Sequence, residues 1–139
     1  MDLSRHAGTP YVYLSTKGRK SGEPREIEIW FALAGGSLYL MAGGRHQAHW
    51  VRNIQAEPRV SLRLDGMTYR GRGRLVDAEA EEDARARELV LAKYRPGYDG
   101  DVGAWGRTAL VVAIDLDEDE SDGAKAASAP GRTGAPGEG

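Results

Sequence analysis

The sequence predicts a mainly β (α+β) fold in which about six antiparallel strands form a small closed or split β-barrel with two flanking helices. Three observations support this prediction. Apolar and polar residues alternate with a period of two along most of the chain. Links of only two residues, rich in glycine, join neighbouring segments of this kind. Two further segments break the alternation and have the spacing and composition of helices.

The predicted strands share the alternating pattern, and they cover residues 11–17, 25–33, 37–42, 60–64, 67–76 and 110–116. The pair Gly35 and Gly36 and the pair Asp65 and Gly66 supply the positive φ of primed hairpin turns. Because two-residue links join only antiparallel neighbours, the sheet is predicted to be antiparallel. A sheet of this size usually closes to hide its edges, which favours a barrel.

Two helices are predicted between these strands. Residues 47–57 place apolar side chains at helical spacing, and the segment ends at Pro58. Residues 79–94 are rich in Ala, Glu, Arg and Leu, and this segment ends before Pro96. The first helix therefore follows the third strand, and the second lies between the fifth and sixth strands.

Composition limits the class of protein. The chain has 139 residues, with 19 Lys and Arg, 21 Asp and Glu, and no cysteine. The lack of cysteine excludes a disulfide-stapled module, a thiolate metal site and a cysteine nucleophile. We expect an N-terminal segment at residues 1–9, one domain at residues 10–116, and a disordered tail at residues 117–139 that is acidic and then rich in Ala, Gly and Pro. With no apolar run near the roughly 20 residues that span a bilayer and no signal-like start, a cytoplasmic protein without stable membrane insertion is expected.

The turn predicted between the first two strands is the most informative segment. It combines four bases with two glycines and a serine, namely Lys17, Gly18, Arg19, Lys20, Ser21, Gly22 and Arg25. Glycines let backbone amides face a guest, and the surrounding positive charge suits a phosphate or a carboxylate. The spacing is not that of a P-loop, and a strand follows where a P-loop has a helix. The alternative interpretation is a solvated basic hairpin.

A second glycine-rich segment leads from the third strand into the first helix. Gly43 and Gly44 precede Trp50 and Asn53, so that a helix start, a flat ring and an amide lie near one another. The alternative is that Trp50 belongs simply to the buried face of the helix. His46 and His49 are three residues apart, but a metal site needs at least a third ligand, and no metal is predicted.

Arg70, Arg72 and Arg74 alternate with glycines on one face of the fifth strand. A β-barrel with such a stripe is able to follow a nucleic-acid backbone, but no nucleic-acid-binding signature accompanies it, so no nucleic-acid partner is expected. No hydrolase motif is present either. Glycine turns, basic side chains and aromatic rings are groups that bind ligands and do not by themselves perform catalysis. This suggests that a bound organic cofactor supplies the reactivity.

Several fragments together resemble a known family. They are Gly-Arg-Lys-Ser-Gly within residues 16–25, Leu-Met-Ala-Gly-Gly at residues 40–44, and Trp50, Asn53, Ala56, Pro58 and Val60 in one spaced series. In order and spacing they resemble the flavin/deazaflavin oxidoreductase superfamily, and more narrowly its deazaflavin-dependent nitroreductase branch, whose members are small split β-barrels that use coenzyme F420. The resemblance covers most of residues 11–116.

The resemblance also implies roles for single residues. Lys20 and Arg25 hold the anionic tail of the coenzyme, with assistance from Lys17 and Arg19. The residues that give backbone access to this tail are Gly18, Ser21 and Gly22. The residues that border the deazaflavin ring, or brace the wall beside it, are Gly43, Gly44, Trp50 and Asn53.

The implied activity is that of an F420H2-dependent reductase, which transfers a hydride to a small electron-poor acceptor such as a quinone, a nitroaromatic or an activated enone. Tyr98 is a candidate proton donor to the product, although it equally fits an ordinary capping aromatic. The alternatives are a non-catalytic protein that binds or carries F420 or FMN, FMN in place of F420 as the cofactor, and a nucleic-acid-binding β-barrel. A homodimer is also compatible with the resemblance.

Overall fold

Seven antiparallel strands form one sheet in the computed structural model, which describes residues 3–94 and 103–117. The strands are β1 (Val12–Lys17), β2 (Pro24–Ile29), β3 (Ala32–Ala34), β4 (Ser37–Ala42), β5 (Arg59–Leu64), β6 (Met67–Leu75) and β7 (Leu110–Leu116). The helices are α1 (His49–Ala56), α2 (Glu81–Tyr94) and α3 (Gly103–Thr108). The predicted mainly β, split-barrel fold is confirmed.

The strand order is β2-β1-β5-β6-β7-β4-β3, so the two edges of the sheet, β2 and β3, are consecutive in the chain. β2 pairs with β1 along its whole length, whereas β3 pairs with β4. The predicted single strand at 25–33 is therefore wrong, because the chain changes partner at Trp30 and Phe31. This change of partner gives seven strands instead of about six, and we call these two residues the seam of the barrel.

Both two-residue links form the predicted hairpins. Asp65 and Gly66 have φ of 51° and 81° and join Leu64 to its partner Met67. Gly35 has φ of 62° and helps to join β3 to β4, whereas Gly36 does not have the positive φ predicted for it. These positive values are strained for most L-residues, which explains the glycines and the aspartate at these positions.

Two apolar clusters lie on opposite faces of the sheet. The cluster inside the barrel is closed by α1, which contributes Trp50, Val51 and Ile54 to it. The cluster outside lies between α2 and the strands β4 and β7, and includes Ala86 and Val90 of the helix. Since β4 and β7 are covered on both faces, their sequences are almost continuously apolar.

Gly71 and Gly73 of β6 are required by neighbouring protein atoms. A Cβ atom at Gly71 would lie 2.6 Å from the backbone oxygen of Asp115, and one at Gly73 would lie 2.8 Å from Cγ2 of Ile54. The lack of side chains at these two positions therefore permits the close approach of β7 and α1 to β6.

The helices differ from the prediction at their ends. A short 3₁₀ helix, Arg45–Gln47, precedes α1, so α1 begins at His49 and not at residue 47. α2 begins at Glu81, two residues later than predicted, because the Asp77 carboxylate accepts a hydrogen bond from the Glu79 amide (3.0 Å) and holds a turn there. The third helix, α3, is not predicted from the sequence, since it is short and contains two glycines.

The segment before β1 packs against the sheet. Leu3 belongs to the inner cluster, and His6 is only 1% exposed. Nδ1 of His6 lies 2.8 Å from Oδ2 of Asp65, and Nε2 lies 2.9 Å from the hydroxyl of Tyr69. These contacts tie the start of the described chain to the β5–β6 hairpin. In the described residues, no helix has the length and apolar character required to cross a membrane.

Candidate functional site

The basic turn between β1 and β2, residues 17–25, folds tightly on itself. The Gly18 amide donates to the Glu23 carbonyl (2.8 Å), and the Gly22 amide donates to the Gly18 carbonyl (2.8 Å). Ser21 Oγ accepts a hydrogen bond from the Glu23 amide (3.0 Å). A Cβ atom at Gly18 would lie 2.8 Å from Ser21 Oγ, so only glycine fits there without a shift. Gly18, Ser21 and Gly22 thus set the shape of the turn with their own amides and hydroxyl.

Asn53 of α1 anchors this turn to the barrel. Its Oδ1 atom accepts hydrogen bonds from the Arg19 amide (3.2 Å) and from Nη1 of the Arg19 guanidinium (2.8 Å). Its Nδ2 atom donates to Thr16 Oγ1 (3.0 Å). Thr16 and Asn53 are 2% and 3% exposed, so this is a buried network in which both ends of the amide are paired.

Arg19 is turned toward α1 and not away from it. Besides its bonds to Asn53, its guanidinium lies 3.4 Å from the His49 carbonyl oxygen and 3.4 Å from His49 Nδ1. The structure therefore places Arg19 and Lys20 in the turn and Lys17 and Arg25 in the adjoining ends of β1 and β2, and Asn53 contacts the turn from α1.

The other three bases of the turn have no acidic partner among residues 3–94 and 103–117. No carboxylate there lies within 4.0 Å of the charged nitrogens of Lys17, Lys20 or Arg25, and all three side chains are exposed. The arginines that are paired elsewhere in this part of the chain are Arg59, Arg63, Arg74 and Arg87. Within the described residues these three side chains therefore form no ion pair, although Lys17 interacts electrostatically with Glu57. Cations of this kind on a fixed backbone suit the binding of an anion.

The second glycine-rich segment, residues 43–53, lies partly at the surface and partly in the core. Gly43 and Gly44 are exposed after β4, whereas Trp50 is 6% exposed within the inner cluster. A Cβ atom at Gly43 would lie 3.4 Å from Nε1 of Trp105, and one at Gly44 would lie 3.4 Å from Cβ of Ala48. Trp50 and Asn53 are thus buried side chains of α1, the helix that closes the barrel, and Gly43 lies beside Trp105 of α3.

Three aromatic side chains form a cluster that the sequence did not predict. The rings of Trp30 and Tyr94 are stacked, with centroids 4.2 Å apart and an interplanar angle of 1°. Trp105 meets Trp30 edge to face, with centroids 5.6 Å apart. We call Trp30, Tyr94 and Trp105 the aromatic cluster; all three side chains are partly exposed. One signal was present, since Trp30 is a large ring on the face of its segment that otherwise carries Glu26 and Glu28.

Side chains at the end of α2 form hydrogen bonds with the backbone of Phe31, which lies between β2 and β3 and belongs to neither strand. The Phe31 amide donates to the Tyr94 hydroxyl (3.1 Å), and Lys93 Nζ donates to the Phe31 carbonyl (3.1 Å). The Tyr94 hydroxyl also lies 2.8 Å from the carbonyl oxygen of Pro10. Burial raises the pKa of Tyr94 to about 12 and lowers the pKa of Lys93 to about 8.

Two further predicted features have different outcomes. Tyr98, the candidate proton donor, lies outside the described residues. In the arginine stripe, Arg74 forms hydrogen bonds to both Glu82 and Asp115, whereas Arg70 and Arg72 are exposed. Arg74 therefore joins α2 to the sheet through these hydrogen bonds.

Solved structures share this fold at low sequence identity. One described as an F420-H2 dependent reductase (FDR-A) is 23% identical, with 76% of this chain and 94% of that chain covered and a TM-score of 0.61. A structure described as a domain-swapped dimer is 23% identical, with 76% and 80% covered and a TM-score of 0.62. HutZ, described as the heme storage protein from Vibrio cholerae, is 11% identical, with 84% and 89% covered and a TM-score of 0.69.

The sequence itself matches one family over the barrel and the segments that flank it. The family described as F420H(2)-dependent quinone reductase matches residues 3–117, which include the basic turn, the seam and the aromatic cluster. This chain therefore belongs to the F420H(2)-dependent quinone reductase family.

Proposed function

We propose that this chain is an F420H2-dependent reductase of small electron-poor acceptors, with quinones, nitroaromatics and activated enones as the acceptor classes. Its family supports the use of coenzyme F420. When bound, the coenzyme supplies the hydride. The protein binds and orients the two partners and excludes water, and covalent catalysis by a side chain is not required.

The observation that carries this proposal is that Lys17, Lys20 and Arg25 form no ion pair with a carboxylate among residues 3–94 and 103–117, beside a turn that Asn53 holds in place. A phosphate with a chain of carboxylates needs cations that are not already neutralised, and these residues fit that need. Lys20 and Arg25 are the proposed direct ligands of the anionic tail, and Lys17 assists through its charge. Arg19 assists by fixing the turn to α1.

The remaining predicted residues take supporting roles in the proposal. The tight backbone at Gly18, Ser21 and Gly22 keeps the charged side chains at the surface of the turn. Gly43 and Gly44 follow β4 at the place where the deazaflavin ring is proposed to lie, and Trp50 and Asn53 brace the wall beside it. Tyr98 stays a prediction as proton donor.

The test is a titration of the purified protein with F420 and, separately, with FMN, followed by fluorescence. The proposal expects saturable binding of F420 and weaker binding of FMN. Oxidation of F420H2 is then followed by absorbance in the presence of menadione and of a nitroaromatic. Tight binding without turnover on either acceptor would support the carrier alternative, and lack of F420 binding would overturn the whole proposal.

Oligomeric state and location are separate from the chemistry. One structure with the same fold is described as a domain-swapped dimer, which supports a homodimer for this chain as a proposal. Light scattering of the purified protein with and without F420 checks it. The cytoplasmic location stays a prediction from the sequence.

A further inference from the structure

Lys93 lies at the seam of the barrel with an unusual set of neighbours. Its Nζ atom is 3.5 Å from the centroid of the Phe31 ring and 5.1 Å from that of the Tyr94 ring. It donates one hydrogen bond, to the Phe31 carbonyl oxygen at 3.1 Å. An ammonium between two ring faces is stabilised by cation–π attraction, but it is also partly removed from water.

This ammonium has no counter-ion among residues 3–94 and 103–117. No carboxylate in that part of the chain forms an ion pair with Lys93. The titratable group beside it is the phenol of Tyr94, which Tyr11 approaches in turn. An ammonium has three N–H donors, and the carbonyl of Phe31 takes one of them. Within the described part of the chain the other two donors have no partner, which leaves them open to an oxygen atom of a guest.

Lys93 has a structural role at the seam, since it covers the Phe31 ring and donates to the Phe31 carbonyl, but that bond uses one of its three N–H donors. The charge is also held in a partly desolvated place, where its interaction with a further acceptor is stronger than in water. Burial lowers the pKa of Lys93 to about 8, which shows the cost of the charge and also brings its proton within reach of a base at neutral pH.

The position of Lys93 also suggests the shape of the guest. Tyr94, which follows Lys93 on α2, stacks on Trp30, and Trp30 meets Trp105. Trp105 is in turn the neighbour of Gly43. A continuous set of contacts thus joins Lys93 to the segment where the proposed function puts the deazaflavin ring. Partly exposed rings of this kind bind flat, conjugated molecules.

We propose that Lys93 binds the oxygen atom of a conjugated carbonyl acceptor, of the quinone class, and donates a proton to it. This inference rests on the proposed function and names the acceptor group that the site recognises. Transfer of a hydride to a quinone leaves two added electrons and one hydrogen on it, with negative charge on an oxygen. Lys93 Nζ gives one proton to that oxygen, the product is the neutral hydroquinone, and the amine recovers its proton from water.

The first experiment needs no coenzyme. 1,4-Naphthoquinone and its anionic 2-hydroxy derivative are titrated against the protein, and the quenching of tryptophan fluorescence gives the two dissociation constants. The wild type is expected to prefer the anion. Lys93→Met is expected to reduce that preference by about tenfold while leaving binding of the neutral quinone unchanged, because a charged hydrogen bond is lost. Lys93→Arg keeps the charge and is expected to keep the preference.

A matched variant separates Lys93 from positive charge elsewhere on the surface. Arg72→Met removes an equal charge from the exposed face of β6, outside both proposed sites, so the preference for the anionic quinone is expected to persist in it. Loss of the preference in Arg72→Met, or its survival in Lys93→Met, would overturn the inference. A fall in affinity for both quinones in Lys93→Met, together with the same fall in Lys93→Arg, would mean a structural role and would also overturn it.

The second experiment uses F420H2 and menadione. With a protonated Lys93 as the proton donor, kcat/KM of the wild type is expected to fall as the pH rises above about 8. Lys93→Met is expected to have a lower kcat/KM without this fall, and an identical fall in both proteins would contradict the assigned role. If the wild type oxidises no F420H2 with any acceptor, the proposed function fails, and the quinone titrations still decide the role of Lys93.

Discussion

Asn53 Oδ1 accepts hydrogen bonds from both the backbone amide and the guanidinium of Arg19, at 3.2 and 2.8 Å. One buried amide therefore joins α1 to the basic turn. Because a turn of glycines and long cationic side chains has high conformational entropy, such an anchor lowers the cost of ordering it around an anion.

Replacement of Asn53 by alanine is expected to destabilise the protein by about 2 kcal/mol, because Thr16 Oγ1 and the Arg19 amide lose a buried partner. F420 affinity is expected to fall as well, since the turn is no longer fixed. Urea denaturation and fluorescence titration measure the two effects. Gln55→Ala, an exposed change on the same helix, is the control and is expected to alter neither. Full stability in Asn53→Ala would contradict the anchoring role.

A methyl group at Gly73 is expected to destabilise the fold by about 1–3 kcal/mol, because it would lie 2.8 Å from Ile54 Cγ2 and force α1 away from β6. Gly36→Ala is the matched control, since a Cβ atom at Gly36 meets nothing within 4 Å. Denaturant midpoints of the two variants and the wild type give the comparison. Equal midpoints for Gly73→Ala and Gly36→Ala would show that α1 does not pack as described.

The Tyr94 hydroxyl accepts the hydrogen bond from the Phe31 amide, which is part of no strand ladder. Tyr94→Phe is expected to cost about 1–3 kcal/mol, because this amide loses its partner while the aromatic stacking on Trp30 is kept. Tyr13→Phe, which removes an exposed hydroxyl from β1, is expected to cost far less. Thermal denaturation ranks the two variants, and the reverse order would contradict the role of Tyr94 at the seam.

Hydrogen bonds from Arg74 and then from Tyr39 lower the pKa of Glu82 to about 2, below its ordinary value of 4.5. A carboxyl whose pKa is lower in the folded state stabilises the fold above its ordinary pKa. That contribution is lost as the pH falls from about 4.5 toward 2. Glu82→Gln is therefore expected to be less stable than the wild type at pH 7, with the difference shrinking in acid.

Denaturant unfolding at pH 7, 4 and 3 measures this dependence on pH. Glu81→Gln, an exposed change on the adjacent residue of α2, is the control and is expected to leave the slope of stability against pH unaltered. A constant difference between Glu82→Gln and wild type across this range would rule out the network of Arg74, Glu82 and Asp115 as a source of acid sensitivity.

The barrel was predictable because local rules govern most of it. Asp65 and Gly66 need positive φ whatever surrounds them, and the alternation in β1 and β5 reflects burial on the inner face. The seam was not predictable, because the apolar alternation continues unbroken through Trp30 and Phe31. Only the change of pairing from β1 to β4 divides the strand, and that is a property of the whole sheet.

The basic turn was likewise visible in the sequence, but its internal bonds were not. Charge and glycine content indicate an anion site, whereas the choice of Asn53 as the anchor of Arg19 depends on where α1 packs. Lys93 and Trp105 come from α2 and α3 and meet the seam only in three dimensions. Periodicity within each segment carries no information about such contacts.

The most direct test of the account is F420 affinity after neutralisation of the proposed tail ligands. Lys20→Met combined with Arg25→Met is expected to weaken F420 binding by about tenfold or more, and to reduce its dependence on salt, because two charged contacts are removed. Arg70→Met combined with Arg72→Met removes equal charge from the exposed face of β6 and is expected to leave the affinity unchanged. Equal F420 affinity in the Lys20 and Arg25 double variant and in the wild type would contradict the central claim.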